Sequence, residues 1–141
     1  MNIRKLIFTL FSLAALSATG SEPVTFAIAS DFHAPDVPGG LERVQAFVDN
    51  AKSRKVDFII ELGDFARLDS ASAPYRDAWN SFGGYRYHVI GNHDCDRYDK
   101  DRYAGGMGMP APYYSFDHGD YHFVVLDNNN WADKEGNIHP Y

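Results

Sequence analysis

Apolar runs alternate with polar stretches along the chain, and three of these runs have the length of β-strands. They are VTFAIAS, VDFIIEL and YRYHVI, at residues 24–30, 56–62 and 85–90. Each run is rich in β-branched or aromatic residues and is followed directly by Asp or Gly, which is the pattern of a buried strand that ends in a turn. We therefore predict three strands over these ranges.

The two intervals between the runs have helical character. Over residues 41–55 the apolar residues recur at spacings of three and four, which predicts a helix with one apolar face; they are Leu41, Val44, Val48 and Ala51. A second helix is predicted near residues 74–82. Strands that alternate with helices favour a parallel sheet, so we predict an α/β fold that begins with a βαβαβ unit.

The remainder of the chain predicts a loop and a hairpin. Residues 96–112 are rich in Asp, Arg, Tyr and Gly, and we predict a long surface loop that shapes substrate access. Residues 113–116 and 121–127 flank turn-forming residues and predict a β-hairpin. The last residues, 137–141, carry no capping signal, and from them we expect an interrupted chain.

Residues 1–20 differ from the rest in composition. Arg4 and Lys5 precede an apolar stretch over 6–16, and small residues follow up to Gly20. This pattern predicts a secretory signal peptide over 1–20, because the apolar stretch is short for a membrane-spanning helix. An uncleaved N-terminal anchor is the alternative. Both hypotheses predict an exported protein, periplasmic or extracellular, and cleavage predicts no stable membrane insertion.

Charge and cysteine content narrow the function classes. The formal net charge is −6, and Lys and Arg form no cluster beyond the first residues, so the chain is not expected to coat nucleic acid. A length of 141 residues fits one domain. Cys95 is the single cysteine, which excludes a disulfide within the chain. We interpret it as an inert, partly buried thiol, with a thiol beside a metal site as the alternative. The oligomeric state stays open.

Polar residues that can bind cations follow the first two predicted strands. Asp31 and His33 lie two residues apart after the first strand, where an extended backbone would turn both side chains to one side. Gly63-Asp64 follows the second strand, and its carboxylate has two oxygens with which to bridge two cations. A hydrogen-bonded loop and an ordinary Gly-Asp turn are the alternative interpretations of these two clusters.

The cluster after the third strand is more specific. Gly91-Asn92-His93-Asp94 combines an amide oxygen for a metal, an imidazole that can move protons, and a carboxylate that can orient the imidazole. A structural turn explains the Gly and the Asn, but it does not explain the His and the Asp. In a parallel sheet, ligands bind outside the carboxyl ends of the strands, where all three clusters are predicted to lie.

The ordered clusters D-x-H, G-D and G-N-H-D resemble the pattern of the calcineurin-like metallophosphoesterases. The resemblance continues through 109–116 and 123–127, which look like the hairpin of the bacterial secreted branch of that family. It implies a layered α/β/β/α fold over residues 21–141, of which this chain is the N-terminal part of a C-terminally truncated domain. It also implies hydrolysis of small phosphate mono- or diesters with two divalent metal ions, Mn, Fe or Zn.

The resemblance also implies roles for particular residues. Asp31 and His33 are expected to bind the first metal, Asp64 to bridge both metals, and Asn92 to bind the second. The physics agrees with this division, because paired cations can activate a bridging water and stabilise an in-line phosphoryl transition state.

Two further residues are implied to be catalytic. His93 is expected to contact the phosphate and to protonate the leaving group. Asp94 is expected to orient His93 by accepting its other ring proton.

Departures from the family pattern leave alternatives open. The family supplies later histidines, including a terminal Gly-His-x-His motif, which this sequence does not contain. We interpret His118, His122 and His139 as residues that do not bind metal, and His88 as a core histidine. A catalytically incomplete fragment or non-enzymatic remnant is therefore the main alternative, and a generic secreted binding protein is the other.

Overall fold

The computed structural model describes residues 22–132 and 135–140. The predicted signal peptide over residues 1–20 lies outside the described residues. Within the described part of the chain, no helix has both the length and the apolar character needed to cross a bilayer.

Three parallel strands form the central sheet in the order β1 (Phe26–Ala29), β2 (Phe58–Glu61) and β3 (Tyr85–His88). The pairing aligns their ends, because Ala29 lies opposite Glu61 and Glu61 lies opposite His88. All three predicted strands are confirmed, but β1 is not buried as predicted, since Phe26 and Ile28 are exposed. Since the strands end in register, the turns that follow them leave from the same edge of the sheet.

Two helices cover one face of this sheet. Helix α1 (Gly40–Arg54) follows β1, and helix α2 (Ala73–Asn80) follows β2, as predicted. The predicted apolar face of α1 is buried, with Val44 and Val48 fully enclosed, and it packs in one cluster with Ile59 of β2. Burial of such side chains is the main stabilising contribution to this layer, at about 25 cal/mol per Å² of apolar surface.

A β-hairpin covers the other face. Strands β4 (Tyr114–His118) and β5 (Tyr121–Val125) pair antiparallel across a two-residue turn, and this confirms the predicted hairpin. Phe116 stacks on Tyr87 of β3, and Phe123 packs edge-on against Phe58 of β2 at 5.1 Å between ring centroids. Helices, sheet and hairpin thus stack as three layers. A second, unpredicted antiparallel pair follows, β6 (Asn130–Ala132) and β7 (Ile138–Pro140).

The predicted loop over residues 96–112 is wrong, because it contains helix α3 (Lys100–Met107). Asp99 caps the helix by accepting the backbone N–H of Arg102 at 2.8 Å. The glycines in this segment misled the prediction. Gly106 packs against Leu68, and a Cβ at Gly106 would lie 2.5 Å from a methyl carbon of Leu68, so that side chain would have to shift.

Candidate metal centre

Backbone hydrogen bonds join the turns that follow β1 and β2. The N–H of Asp31 donates to the carbonyl of Gly63 at 3.1 Å, and the N–H of His33 donates to the carbonyl of Asp64 at 2.8 Å. One residue further, the N–H of Ala34 donates to the carbonyl of Phe65 at 2.9 Å. Parallel pairing therefore continues beyond the strands and fixes the two turns relative to each other.

The three residues that carry the predicted donor groups of these turns have left-handed backbone conformations. The φ angles are 60° at Asp31, 47° at His33 and 56° at Asp64. Among the described residues, Lys55 at the end of α1 is the other non-glycine residue with positive φ. The predicted extended backbone after β1 is therefore wrong, because Asp31 and His33 are left-handed. Non-glycine residues adopt this conformation at an energetic cost, and such strain clusters at functional sites.

This geometry brings together the donor atoms of Asp31, His33 and Asp64. The Nε2 atom of His33 lies 3.5 Å from Asp31 Oδ1 and 3.8 Å from Asp64 Oδ2. One donor atom from each residue lies within 4.8 Å of the others, which is a spacing that one divalent ion can occupy. Carboxylate oxygen and imidazole nitrogen together suit ions such as Mn, Fe and Zn. Three of the four predicted metal ligands therefore meet.

Two glycines allow the turns after β2 and β3 to touch. A Cβ on Gly63 would lie 2.5 Å from the Cα of Gly91, and a Cβ on Gly91 would lie 2.2 Å from Asp64 Oδ1. No side chain fits between the two backbones. This contact brings the third cluster, residues 91–94, to the metal group.

Asp64 faces both sides of this contact. Its Oδ1 atom accepts the backbone N–H of His93 at 2.9 Å, while its Oδ2 atom lies towards His33. The rings of His33 and His93 are 5.4 Å apart between centroids. Asn92 directly precedes His93 at the start of a short 3₁₀ helix (His93–Cys95), and its side chain makes no capping hydrogen bond there. Metal binding by Asn92 stays a prediction.

The predicted contact between Asp94 and the ring of His93 is wrong. The Asp94 carboxylate points into the protein, where it accepts the backbone N–H groups of Asp64 and Gly91, both at 2.9 Å, and that of Phe65 at 3.2 Å. Asp94 is 7% exposed. It holds the turns after β2 and β3 together, because each turn donates to the same carboxylate.

Asp96 is the carboxylate that contacts the ring of His93. Its Oδ2 atom lies 3.0 Å from His93 Nδ1, across one turn of the 3₁₀ helix. Residues three apart on a helical turn face each other, so the His-x-x-Asp spacing was the available sequence signal for this pair. The hydrogen bond to Asp96 is also the main cause that raises the pKa of His93.

The ring contact predicts how His93 titrates. A carboxylate stabilises the imidazolium form, so Asp96→Asn is expected to lower the pKa of His93 in the metal-free chain. NMR titration of the His93 ring measures this directly. Asp117→Asn, which removes the partner of the exposed His122, is the control and is expected to leave the His93 titration unchanged. A His93 pKa that is unaltered by Asp96→Asn would contradict the assignment.

A second buried carboxylate supports the turn after β2. Glu61, at the end of β2, accepts the N–H of Gly63 at 2.8 Å with one oxygen and contacts His88 Nδ1 at 2.8 Å with the other. Both side chains are buried, which confirms His88 as a core histidine. Burial, followed by the charge of Glu61, raises the pKa of Asp94 to about 6. The carboxylates of Glu61 and Asp94 therefore hold the backbone of the turns after β2 and β3.

A cavity of about 150 Å³ opens beside the metal group. His33, Asp64 and His93 line it, and so do the guanidinium-bearing residues Arg67 and Arg97. Four carboxylates line it as well, those of Asp36, Asp64, Asp94 and Asp96, and Asp36 pairs with Arg67. The cavity thus places two candidate ligands, the candidate proton donor and charged groups of both signs around one small space.

Comparison with known proteins identifies the family. The family model described as calcineurin-like phosphoesterase matches residues 24–139. The chain belongs to this family. A solved structure similar to this phosphoesterase-family chain, a dimetal phosphatase from Danio rerio, is 19% identical and superposes with a TM-score of 0.63. Among curated protein sequences, none matches the chain significantly.

The structural likeness confirms the predicted fold class. The match to the Danio rerio phosphatase covers 74% of this chain and 44% of that chain. The parallel sheet with its helices and the antiparallel hairpin belong to the shared part of the α/β fold. This chain spans less than half the length of that phosphatase.

Proposed function

We propose that the metal centre serves the hydrolysis of phosphate mono- or diesters with two divalent metal ions, Mn, Fe or Zn. The observation that carries the proposal is the position of Asp64. One of its oxygens lies near His33 and the other accepts a hydrogen bond from the turn that bears Asn92 and His93. A carboxylate between two clusters of donors is the arrangement that a bridging ligand requires.

The donor set fits such ions by its chemistry. In the proposed site, Asp31 and His33 hold the first metal, Asp64 bridges, and Asn92 holds the second. When bound, the two ions supply a nucleophile at neutral pH and stabilise the charge that develops on the phosphoryl group. Without them, Asp31 and Asp64 repel each other, which favours capture of a cation.

The proposed role of the chain's own residues centres on His93. With Nδ1 held by Asp96, the ring is oriented, and Nε2 is the nitrogen left to donate a proton to the leaving-group oxygen. Asp96 also favours the protonated form that a general acid needs. In this proposal, Asp94 acts indirectly, because its three backbone hydrogen bonds keep the turns in place.

We extend the proposal to the cellular setting. The charge and apolar pattern of residues 1–20 support export by a signal peptide to the periplasm or the extracellular space. The resemblance of residues 109–116 and 123–127 supports the bacterial secreted branch of the family. The proposed substrate is a small phosphoester, in keeping with the small cavity.

Hydrolysis of a chromogenic bis-aryl phosphate by the purified chain with added Mn²⁺ tests this function. We expect turnover that is lost on chelation and restored by Mn²⁺. Calorimetry with Mn²⁺ is run on the same preparation. Metal binding without turnover would favour the catalytically incomplete fragment, and absence of both would sink the proposed function.

Removal of the His93 side chain separates catalysis from metal binding. His93→Ala is expected to lower turnover by about 10²-fold or more, the usual contribution of a positioned proton donor. Bound metal, counted by elemental analysis, is expected to stay within error of the wild type. His122→Ala, at an exposed position on the hairpin, is the control for both measurements. If His93→Ala also lost bound metal, His93 would be needed for metal binding, and its assignment as a proton donor that does not bind metal would be refuted.

A further inference from the structure

Lys100, at the start of α3, has a largely buried ammonium group that no sequence motif marks. Its side chain is 12% exposed. The Nζ atom lies 2.6 Å from Asp127 Oδ2, 2.6 Å from the carbonyl oxygen of Asn129 and 3.0 Å from Asn130 Oδ1. Because an ammonium group has three N–H donors, these contacts use all of them. Lys100 therefore fixes the segment 127–130, which links β5 to β6.

This segment contacts the turn after β3, which carries Asn92 and His93, through Asn129. The backbone N–H of Asn129 donates to Asp127 Oδ1 at 3.0 Å, and its side-chain amide donates to the carbonyl of Ile90. Ile90 is 2% exposed and directly precedes Gly91. A continuous set of hydrogen bonds thus runs from Lys100 to the turn that contacts Asp64.

We propose that Lys100 is a positioning residue for the metal centre, acting through segment 127–130 and the hydrogen bond from Asn129 to Ile90. The turn 91–94 carries Asn92 and His93, so a shift of this turn displaces both residues from Asp64. The test by Mn²⁺ affinity rests on the proposed metal function, whereas the test by hydrogen exchange does not depend on it.

The physical argument is the cost of unpairing a largely buried charge. Removal of one partner from a buried ion pair leaves the other charge without compensation. Without Lys100, Asp127 Oδ2 and the carbonyl of Asn129 lose the ammonium donor, while Asp127 Oδ1 keeps the N–H of Asn129, and we expect the segment to open towards water. Local opening of this kind raises amide exchange in the affected unit and leaves distant elements unchanged.

Hydrogen exchange of the metal-free full chain is the first test. In Asn129→Ala and in Lys100→Met, peptides that cover residues 90–96 are expected to exchange about tenfold faster, the size of one lost hydrogen bond. Peptides from α1 are expected to exchange at the wild-type rate. Asn128→Ala is the matched control, because Asn128 is exposed and lies outside the Lys100 contacts.

Mn²⁺ affinity, measured by calorimetry, is the second test. Asn129→Ala and Lys100→Met are each expected to bind Mn²⁺ about tenfold more weakly. The double variant is expected to lose less affinity than the product of the two single losses, because both residues act through the same hydrogen bonds. If Lys100→Met does not fold, Asn129→Ala decides alone.

The two readouts separate the inference from the proposed function. Unchanged exchange over 90–96, or an equal rise in α1, would overturn the positioning role of Lys100. So would wild-type Mn²⁺ affinity in Asn129→Ala. If the wild-type chain itself does not bind Mn²⁺, the proposed function fails, and the exchange comparison still decides the role of Lys100.

Discussion

Asp64→Asn is expected to abolish stoichiometric Mn²⁺ binding by the chain, with affinity at least about 100-fold weaker than in the wild type. Loss of residues that merely orient ligands costs about 10–100-fold in metal affinity, so loss of a bridging carboxylate should exceed that range. Any chelator-sensitive phosphoesterase activity should disappear with the metal.

The substitution by asparagine removes the charge of Asp64 and is expected to leave the fold intact. Asn tolerates a left-handed conformation well, and Asp64 has φ 56°. Its side-chain oxygen can still accept the N–H of His93. The variant also removes repulsion with Asp31, so thermal unfolding of the metal-free chain is expected at or above the wild-type temperature.

Asp49→Asn provides the matched control for this experiment. Asp49 is exposed on α1, so the substitution changes the net charge equally without touching the site. Its Mn²⁺ affinity should equal that of the wild type. Wild-type affinity in Asp64→Asn as well would remove Asp64 from the proposed site.

The strands and the order of the clusters could be predicted from the sequence because each depends on local pattern. The buried strand β2 has the apolar run Phe58–Ile60, and the carboxyl ends of strands must meet at one edge once the sheet is parallel. Topology therefore places the turns that carry Asp31, His33 and Asp64 side by side, while the left-handed conformations of these residues bring their donor atoms together.

Side-chain direction within the turns could not be predicted in the same way. Whether Asp94 or Asp96 faces the ring of His93 depends on the 3₁₀ turn over His93–Cys95, which carries Asp94 inward and Asp96 alongside the ring. The three backbone N–H groups that Asp94 accepts come from two separate turns, and no pattern within one turn reveals them.

Helix α3 was missed for a related reason. Gly105 and Gly106 disfavour a helix by intrinsic propensity, yet α3 forms, with Gly106 packed closely against the side chain of Leu68. Tertiary contact thus outweighs propensity here. Lys100 lies on α3, and its contacts with Asp127 and Asn129 join positions far apart in the sequence, so no local pattern reveals them.

Close contact between the turns at Gly63 and Gly91 predicts the second large effect. Gly91→Ala would place a Cβ 2.2 Å from Asp64 Oδ1 and 2.4 Å from the backbone nitrogen of Asp64. Those atoms are held by the hydrogen bonds to His93 and Asp94, so the turns must separate. Overpacking of this kind costs about 2 to 3 kcal/mol in the free energy of unfolding.

The separation should act on function as strongly as on stability. Movement of Asp64 away from the third turn divides the donor set, so Gly91→Ala is expected to bind Mn²⁺ at least about tenfold more weakly. Urea unfolding and calorimetry measure the two effects on the same preparation.

Gly105→Ala is the control that isolates the contact between turns. A Cβ at Gly105 meets no atom within 4 Å, and alanine favours the helix in which this residue lies. We expect this variant to gain about 0.5 to 1 kcal/mol in the free energy of unfolding and to bind Mn²⁺ like the wild type. If Gly91→Ala matched Gly105→Ala in both measurements, the backbone contact between Gly63 and Gly91 would not be what aligns the two turns.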